Sequence, residues 1–184
     1  MTSIRVIAGV YGGRKIDAPD MSNTRTKPMG ERIRNALFNR VGSEIKGARV
    51  LDAFAGTGSV GFEALSRGAS HVTFIERDKI AQKIIANNMV LLGTDDDANL
   101  VKSSVNSWLA TSEPENYDII FADPPYHDLQ LSTVSKLFGL LKPNGLMVLS
   151  WPGRGEGPNL ENGIVVVDNR SYGNAQLTSF RRKA

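Results

Sequence analysis

One glycine-rich stretch, Leu51-Asp52-Ala53-Phe54-Ala55-Gly56-Thr57-Gly58-Ser59-Val60-Gly61, constrains the fold of this chain more than any other. Ala48 to Leu51 has the apolar, β-branched character of a strand start. Val60, Phe62, Glu63, Ala64, Leu65 and Ser66 read as a helix stopped at Gly68. The same alternation continues downstream, with strands expected near 48–53, 71–76, 99–102, 117–122 and 146–151. Helices are expected near 59–67, 78–92, 104–110 and 130–140. Strands alternating with helices require right-handed crossovers and a parallel sheet covered on both faces. A Gly/Pro loop from Pro152 to Pro158 then leads to two closing strands, near 163–169 and 175–182, turned through Ser171-Tyr172-Gly173-Asn174. The expected class is α/β, with seven strands, mostly parallel, ending in an antiparallel hairpin.

A glycine turn between strand and helix lets a ligand approach the backbone and rest near the positive helix end. Gly56, Gly58 and Gly61 satisfy the Gly-x-Gly-x-x-Gly dinucleotide pattern, and Glu76 follows Gly56 by 20 residues, where a ribose-binding acid belongs. A nicotinamide enzyme therefore competes. Asp52 tilts the choice, because a carboxylate at the strand end repels a pyrophosphate and welcomes an ammonium group. Phe54 adds an apolar wall. S-adenosylmethionine carries an ammonium group, a ribose diol and no phosphate, so Asp52 for the amine side and Glu76 for the ribose fit it better. Taken singly, either acid could simply cap a strand end or a helix.

Asp123-Pro124-Pro125-Tyr126 follows the apolar strand ending at Phe121. Neither proline can donate to a ladder, so the chain must leave the sheet there. An acid, rigid carbonyls and a stacking ring suit a planar base bearing an NH2 group. The plainer reading is a Pro-Pro turn with a capping Asp. Asp52, Glu76 and Asp123 all end parallel strands and so share one edge, where ligands bind in open sheets. Ser104 and Val105, just after the Leu100-Val101 strand, complete that edge.

Charge is uneven. Residues 1–49 hold ten Lys and Arg against four Asp and Glu, a net +6 that leaves −3 for the remainder of a chain of net +3. A basic arm on a near-neutral body is the footprint of phosphate-backbone binding, although a solvated charged helix face has the same composition. The arm reads as a hairpin, Ile4 to Ala8 with Arg14 to Asp17, turned at Tyr11-Gly12-Gly13. A polar loop and a helix from Gly30 to Val41 follow, with Ile33, Leu37 and Val41 on one face and Arg32, Arg34 and Asn35 elsewhere. Without cysteine the 184-residue chain has no disulfide, thiol nucleophile or thiolate metal site. His71 and His127 lack metal-ligand spacing, so no metal is expected. With no long apolar run or signal-like start, a soluble cytoplasmic protein, monomeric and away from membranes, is expected.

The chain resembles the small bacterial methyltransferases that methylate the exocyclic N2 of a guanine in 16S ribosomal RNA. The resemblance runs almost end to end. It lies in Ile7-Ala8-Gly9, Gly13-Arg14-Lys15, Lys27-Pro28 and Arg32-Ile33-Arg34-Asn35-Ala36-Leu37-Phe38-Asn39. It continues in the glycine turn, Glu63-Ala64-Leu65-Ser66-Arg67-Gly68-Ala69, Ile75-Glu76, Asp123-Pro124-Pro125-Tyr126, Tyr172-Gly173 and Arg181-Arg182. It implies a Rossmann-like class I methyltransferase in one domain, with residues 1–46 contacting RNA and 47–184 forming the cofactor-binding catalytic core. The implied donor is S-adenosylmethionine, held by Asp52, Phe54, Gly56, Gly58, Glu76, Arg77, Ser104 and Val105. The implied catalytic residues are Asp123, Pro124, Pro125 and Tyr126. The implied RNA contacts are Arg14, Lys15, Arg25, Lys27, Arg32 and Arg34, on 16S ribosomal RNA within an assembling or assembled small subunit. Departures from the family pattern are Ser104 for an Asp, Lys27-Pro28-Met29 for Arg-Pro-Thr, and Asn35 for a frequent Glu. Two alternatives stay open: a methyltransferase acting on adenine N6 or a protein amide, and a non-catalytic cofactor-binding RNA module.

Overall fold

The computed structural model describes residues 2–20, 22, 28–114 and 116–184. Its centre is a seven-stranded sheet, formed by β3 (Arg49–Asp52), β4 (His71–Ile75), β5 (Ala98–Val101), β6 (Tyr117–Ala122), β7 (Leu141–Trp151), β8 (Ile164–Tyr172) and β9 (Ala175–Arg182). The spatial order is β5-β4-β3-β6-β7-β9-β8. The first five strands are parallel, while β9 runs antiparallel between β7 and β8. The chain builds outward from β3 to β5 and then returns to β6 on the other side. Its switch point therefore lies between β3 and β6, which makes this a Rossmann-like sheet.

Burial on both faces explains why the central strands read as continuous apolar runs. Val50, Leu51, Phe74, Ile120, Leu146 and Met147 are inaccessible to solvent. Helix α2 (Ser59–Ser66) is buried along its whole length, and α3 (Lys79–Leu92) buries Ala81, Ile84, Ile85, Asn88 and Leu92 along one stripe. Helix α3 starts at Asp78, whose carboxylate accepts from the Ile80 and Ala81 amides at 2.9 Å, and it stops at a left-handed Gly93. Helices α4 (Val105–Leu109) and α5 (Leu131–Leu137) are short, the latter ending in a single 3₁₀ turn at Phe138–Leu140.

Gly61 shows why the glycine turn tolerates no bulk. A Cβ there would stand 2.2 Å from Cε1 of Phe74, a ring with no solvent-accessible surface. Gly61→Ala is expected to cost about 1–3 kcal/mol through overpacking, read as a fall in the urea midpoint at unchanged m-value.

The front of the chain folds onto the core. Strands β1 (Thr2–Arg5) and β2 (Lys15–Ala18) pair Thr2 with Ala18 and Arg5 with Lys15. Helix α1 (Glu31–Val41) packs Leu37, Phe38 and Val41 into the same apolar cluster as Val50, Phe62 and Phe121. The hairpin is displaced from the expected Ile4–Ala8 and Arg14–Asp17. Residues 7–11 leave the ladder because α2 offers better partners. The Ile7 and Ala8 amides donate to the Glu63 carboxylate at 2.8 and 3.1 Å, and the Tyr11 amide donates to Ser66 Oγ at 2.9 Å. Strand β7 begins at Leu141 rather than 146, since Tyr117 pairs with Leu141 before a bulge carries the register to Ile119 and Leu146. Strand β8 extends to Tyr172, leaving only Gly173 and Asn174 in the closing turn. No helix among the described residues is long and apolar enough to cross a membrane.

Candidate active site

The carboxyl ends of β3, β4 and β6 open into a cavity of about 890 Å³ whose wall includes Asp52, Phe54, Gly56, Glu76, Arg77, Ser104, Val105, Asp123, Pro124, Pro125 and Tyr126. Residues far apart in sequence thus meet because parallel strands carry them to one edge. Gly58 lies just behind the wall as the left-handed cap of α2. A Cβ there would stand 2.7 Å from Phe62, so glycine is required.

Three carboxylates set the electrostatics. Asp52 is 2% exposed and accepts from the Gly61 amide at 3.0 Å. Burial pushes its carboxyl up to about 7. The Gly61 bond opposes that rise, while the nearby Asp123 and Glu76 charges add to it. Glu76 bridges the two turns, taking the Gly56 amide on one oxygen and the Asp78 amide on the other, both at 2.7 Å. Burial raises its carboxyl as well, against those amide bonds. Burial lifts Asp123 to about 6, opposed by a hydrogen bond from Ser150. Such a cavity stabilises cations, and it holds its acids partly neutral until one arrives.

Donor chemistry also tests which cofactor the residues fit. Thr57 is buried, yet its hydroxyl has no protein partner, and open space surrounds the Cβ position of Gly56, which sits at φ 55°. These are features of a turn shaped around a ligand. Three acids against Arg77 alone, on the wall at the β3–β4 end, fit a cationic amine and sulfonium and disfavour a pyrophosphate. Ser104 is occupied differently from a direct ligand contact: its hydroxyl accepts the Ser107 amide at 3.2 Å as the cap of α4.

Tyr126 leaves the Pro-Pro turn with 41% of its surface exposed, and its hydroxyl lies 2.9 Å from Ser150 Oγ. The turn is closed by the Asp128 amide donating to the Pro125 carbonyl at 2.9 Å. No bond among the described residues engages the carbonyl of Pro124.

The basic candidates are scattered. Arg32 is exposed in the first turn of α1, beside Met29, Gly30 and Ile33 of the cavity wall. Lys15 is exposed on β2. Arg14 donates to the Leu91 carbonyl at 2.9 Å, at the end of α3 opposite Glu76 and Asp78, roughly 20 Å along the helix. It therefore lies apart from the cavity. Arg25 and Lys27 lie outside the described residues. Arg34 overturns its assignment as a phosphate contact, because it is 1% exposed and spent inside the protein. Its guanidinium donates to the Arg5 carbonyl at 2.7 Å and the Met29 carbonyl at 3.1 Å, and lies 3.7 Å from the buried Glu63 carboxylate. It shares the inward face of α1 with Leu37, Phe38 and Val41.

Several wall residues went unassigned from sequence: Pro28, Met29, Ile33, Ser150, Tyr172 and Asn174. The last two were legible in principle. An antiparallel β9 starting at residue 175 places the turn before it at the carboxyl end of β7.

Comparison with known proteins agrees with this arrangement. A family model described as "Conserved hypothetical protein 95" matches residues 4–181. The chain is 38% identical over 151 residues to ribosomal RNA small subunit methyltransferase D of Haemophilus influenzae, spanning 78% of this chain and 76% of that one. The protein of the same name from Escherichia coli is 37% identical over 142 residues, spanning 77% and 68%. Among solved structures, the Escherichia coli protein yhhF superposes with a TM-score of 0.88 at 29% identity, over 100% of this chain and 99% of that one. The chain belongs to this family, the one that includes the ribosomal RNA small subunit methyltransferases D.

Proposed function

We propose that this protein transfers a methyl group from S-adenosylmethionine to the exocyclic N2 amine of a guanine in the RNA of the small ribosomal subunit. The observation that carries the reading is the meeting, in one cavity, of the Asp123-Pro124-Pro125-Tyr126 turn with the acidic edge of Asp52 and Glu76. The family relatives support ribosomal RNA as the substrate class.

Bound there, the cofactor supplies an activated sulfonium methyl. Asp52 would face its amine side and Glu76 its ribose hydroxyls. With the Ser104 hydroxyl committed to the α4 cap, the Val105 amide is left for the adenine. The protein's task is positioning. An amine on a base is a poor nucleophile, because its lone pair is delocalised into the ring. Asp123 and the Pro124 carbonyl each accept one N–H of that amine, which draws the nitrogen toward tetrahedral geometry and turns the lone pair out of the ring plane. Tyr126 stacks on the base. A guanine must leave any helix or stack to enter, which favours loop nucleotides. Arg32 and Lys15, with Arg25 and Lys27, are the proposed phosphate contacts.

The acids give a pH test with a definite sign. Above about 7, Asp52 and Asp123 are ionised and attract the cationic cofactor; as pH falls through 7 and 6 they take up protons and that attraction is lost. The affinity for S-adenosylmethionine is expected to fall roughly tenfold between pH 8 and pH 6 by calorimetric titration. S-adenosylhomocysteine, which lacks the sulfonium charge, should fall less. Equal pH dependence for both would argue against an acid-lined sulfonium site.

Substrate class is tested by incubating the protein with methyl-labelled cofactor and small ribosomal subunits, with DNA and protein as controls. Label is expected in the ribosomal RNA. Label only in a control would retain the methyltransferase and remove the substrate assignment.

A further inference from the structure

We propose that Ser150 is a positioning residue of the transfer site, fixing the Asp123 carboxylate and the Tyr126 ring relative to one another through a hydrogen-bonded chain that runs from Tyr126 to Ser150 to Asp123. The inference rests on the methyltransferase reading of Asp123 and Tyr126.

Ser150 interrupts an otherwise apolar stretch of β7, Leu146 to Trp151, and is 3% exposed. A hydroxyl buried there is costly unless bonded. Alternation along the strand puts Ser150 on the face of Val148, and both residues line the cavity. Two partners meet it: the Tyr126 hydroxyl at 2.9 Å and the Asp123 carboxylate.

Donor counting fixes the direction of the chain. An ionised carboxylate only accepts, and serine has one proton to give. Ser150 therefore donates to Asp123, and Tyr126 donates to the Ser150 oxygen left over. One Asp123 oxygen is thereby held by Ser150, which turns the other toward the substrate amine. The tyrosine ring, tethered at its far end, is held at a set tilt over the place where the base lies. Neither restraint is supplied by the Pro-Pro turn, which fixes only the backbone.

Titratable groups facing Asp123 are Tyr126 on its own loop, Asp52 at the end of β3 and, further along the edge, Glu76 at the end of β4. His127 and Asp128 follow it in the same loop and are exposed. Ser150 is thus the neighbour that favours the ionised form, opposing burial and the negative charges.

The test compares Ser150→Ala, Ser150→Thr and Tyr126→Phe with wild type. The readouts are methyl transfer to small ribosomal subunits, cofactor affinity, thermal unfolding and the pH profile of kcat/KM. Ser150→Ala is expected to lose roughly tenfold in kcat. Its acidic limb should move upward by roughly half a unit or more, with cofactor affinity kept. Ser150→Thr, which keeps the hydroxyl, should return the limb to the wild-type position. Tyr126→Phe should lower kcat while moving the limb less than Ser150→Ala. A Ser150→Ala enzyme that folds and keeps the wild-type acidic limb overturns the proposal, whatever its rate. Wild type transferring no label to any substrate would instead be a failure of the methyltransferase reading itself.

Discussion

Asp123→Ala is expected to lower kcat for methyl transfer by roughly a hundredfold or more, while cofactor affinity stays within a few-fold of wild type. The carboxylate sits at the target end of the cavity, one strand away from Asp52 across the switch point. Its removal takes away the acceptor that orients the amine and leaves the glycine turn and Glu76 untouched. Stability gives an independent signature. Burial holds the folded carboxyl near 6, above the ordinary 3.8, so the native state binds its proton more tightly than the unfolded chain. The resulting cost is absent below about 4, grows as pH rises to about 6, and persists above it. At pH 8 the alanine variant should therefore melt at or above the wild-type temperature. Asp123→Asn keeps one acceptor oxygen and should retain part of the rate. Wild-type turnover in Asp123→Ala would contradict the assigned role.

Glu63→Ala should be the most destabilising single change among those considered, costing about 3–5 kcal/mol and lowering the melting temperature by about 10 °C. Glu63 has no exposed surface and joins three parts of the chain. It accepts from the Ile7 and Ala8 amides and from Arg67 Nε at 2.8 Å, and it neutralises the buried Arg34. Removing it leaves two amides unpaired and strands a guanidinium that burial already penalises. Arg34 in turn ties down the Met29 carbonyl, next to the part of the cavity that would receive the base. Surviving activity below the melting point should accordingly show a raised KM for the RNA substrate. A melting temperature within a degree or two of wild type would show that the network does not hold the front segment.

The contrast between Asp123 and Glu63 marks what could be read from the sequence. Asp52, Glu76 and Asp123 each follow a strand buried on both faces, and such strands announce themselves as continuous apolar runs. Their ends are then fixed to within a residue, and parallel topology brings the ends together. Helix α3 was equally clear, because Asp78 and Gly93 cap an apolar stripe of regular spacing. The front hairpin was misplaced because its decisive bonds run to Glu63 and Ser66, more than fifty residues away, and no local pattern reports them. Arg34 was misread for a related reason. Positions 34, 37, 38 and 41 have helical core spacing, but an arginine at the first of them reads as surface until its buried acid is known. The start of β7 was hidden by Lys142-Pro143-Asn144-Gly145, a turn signal that the sheet absorbs as a bulge, with Asn144 at φ 64°. Ser150 could not be singled out among other strand serines, since its importance comes wholly from what the Pro-Pro turn places beside it.

The most direct test of the central claim is the chemical identity of the modified nucleoside. Small ribosomal subunits lacking this modification would be treated with the purified protein and S-adenosylmethionine, and the RNA digested and resolved by mass spectrometry. N2-methylguanosine at a single position is the predicted result. Methyl-adenosine, methyl-cytidine or a ring-nitrogen methylguanosine in its place would contradict an Asp123 site built around an exocyclic guanine amine.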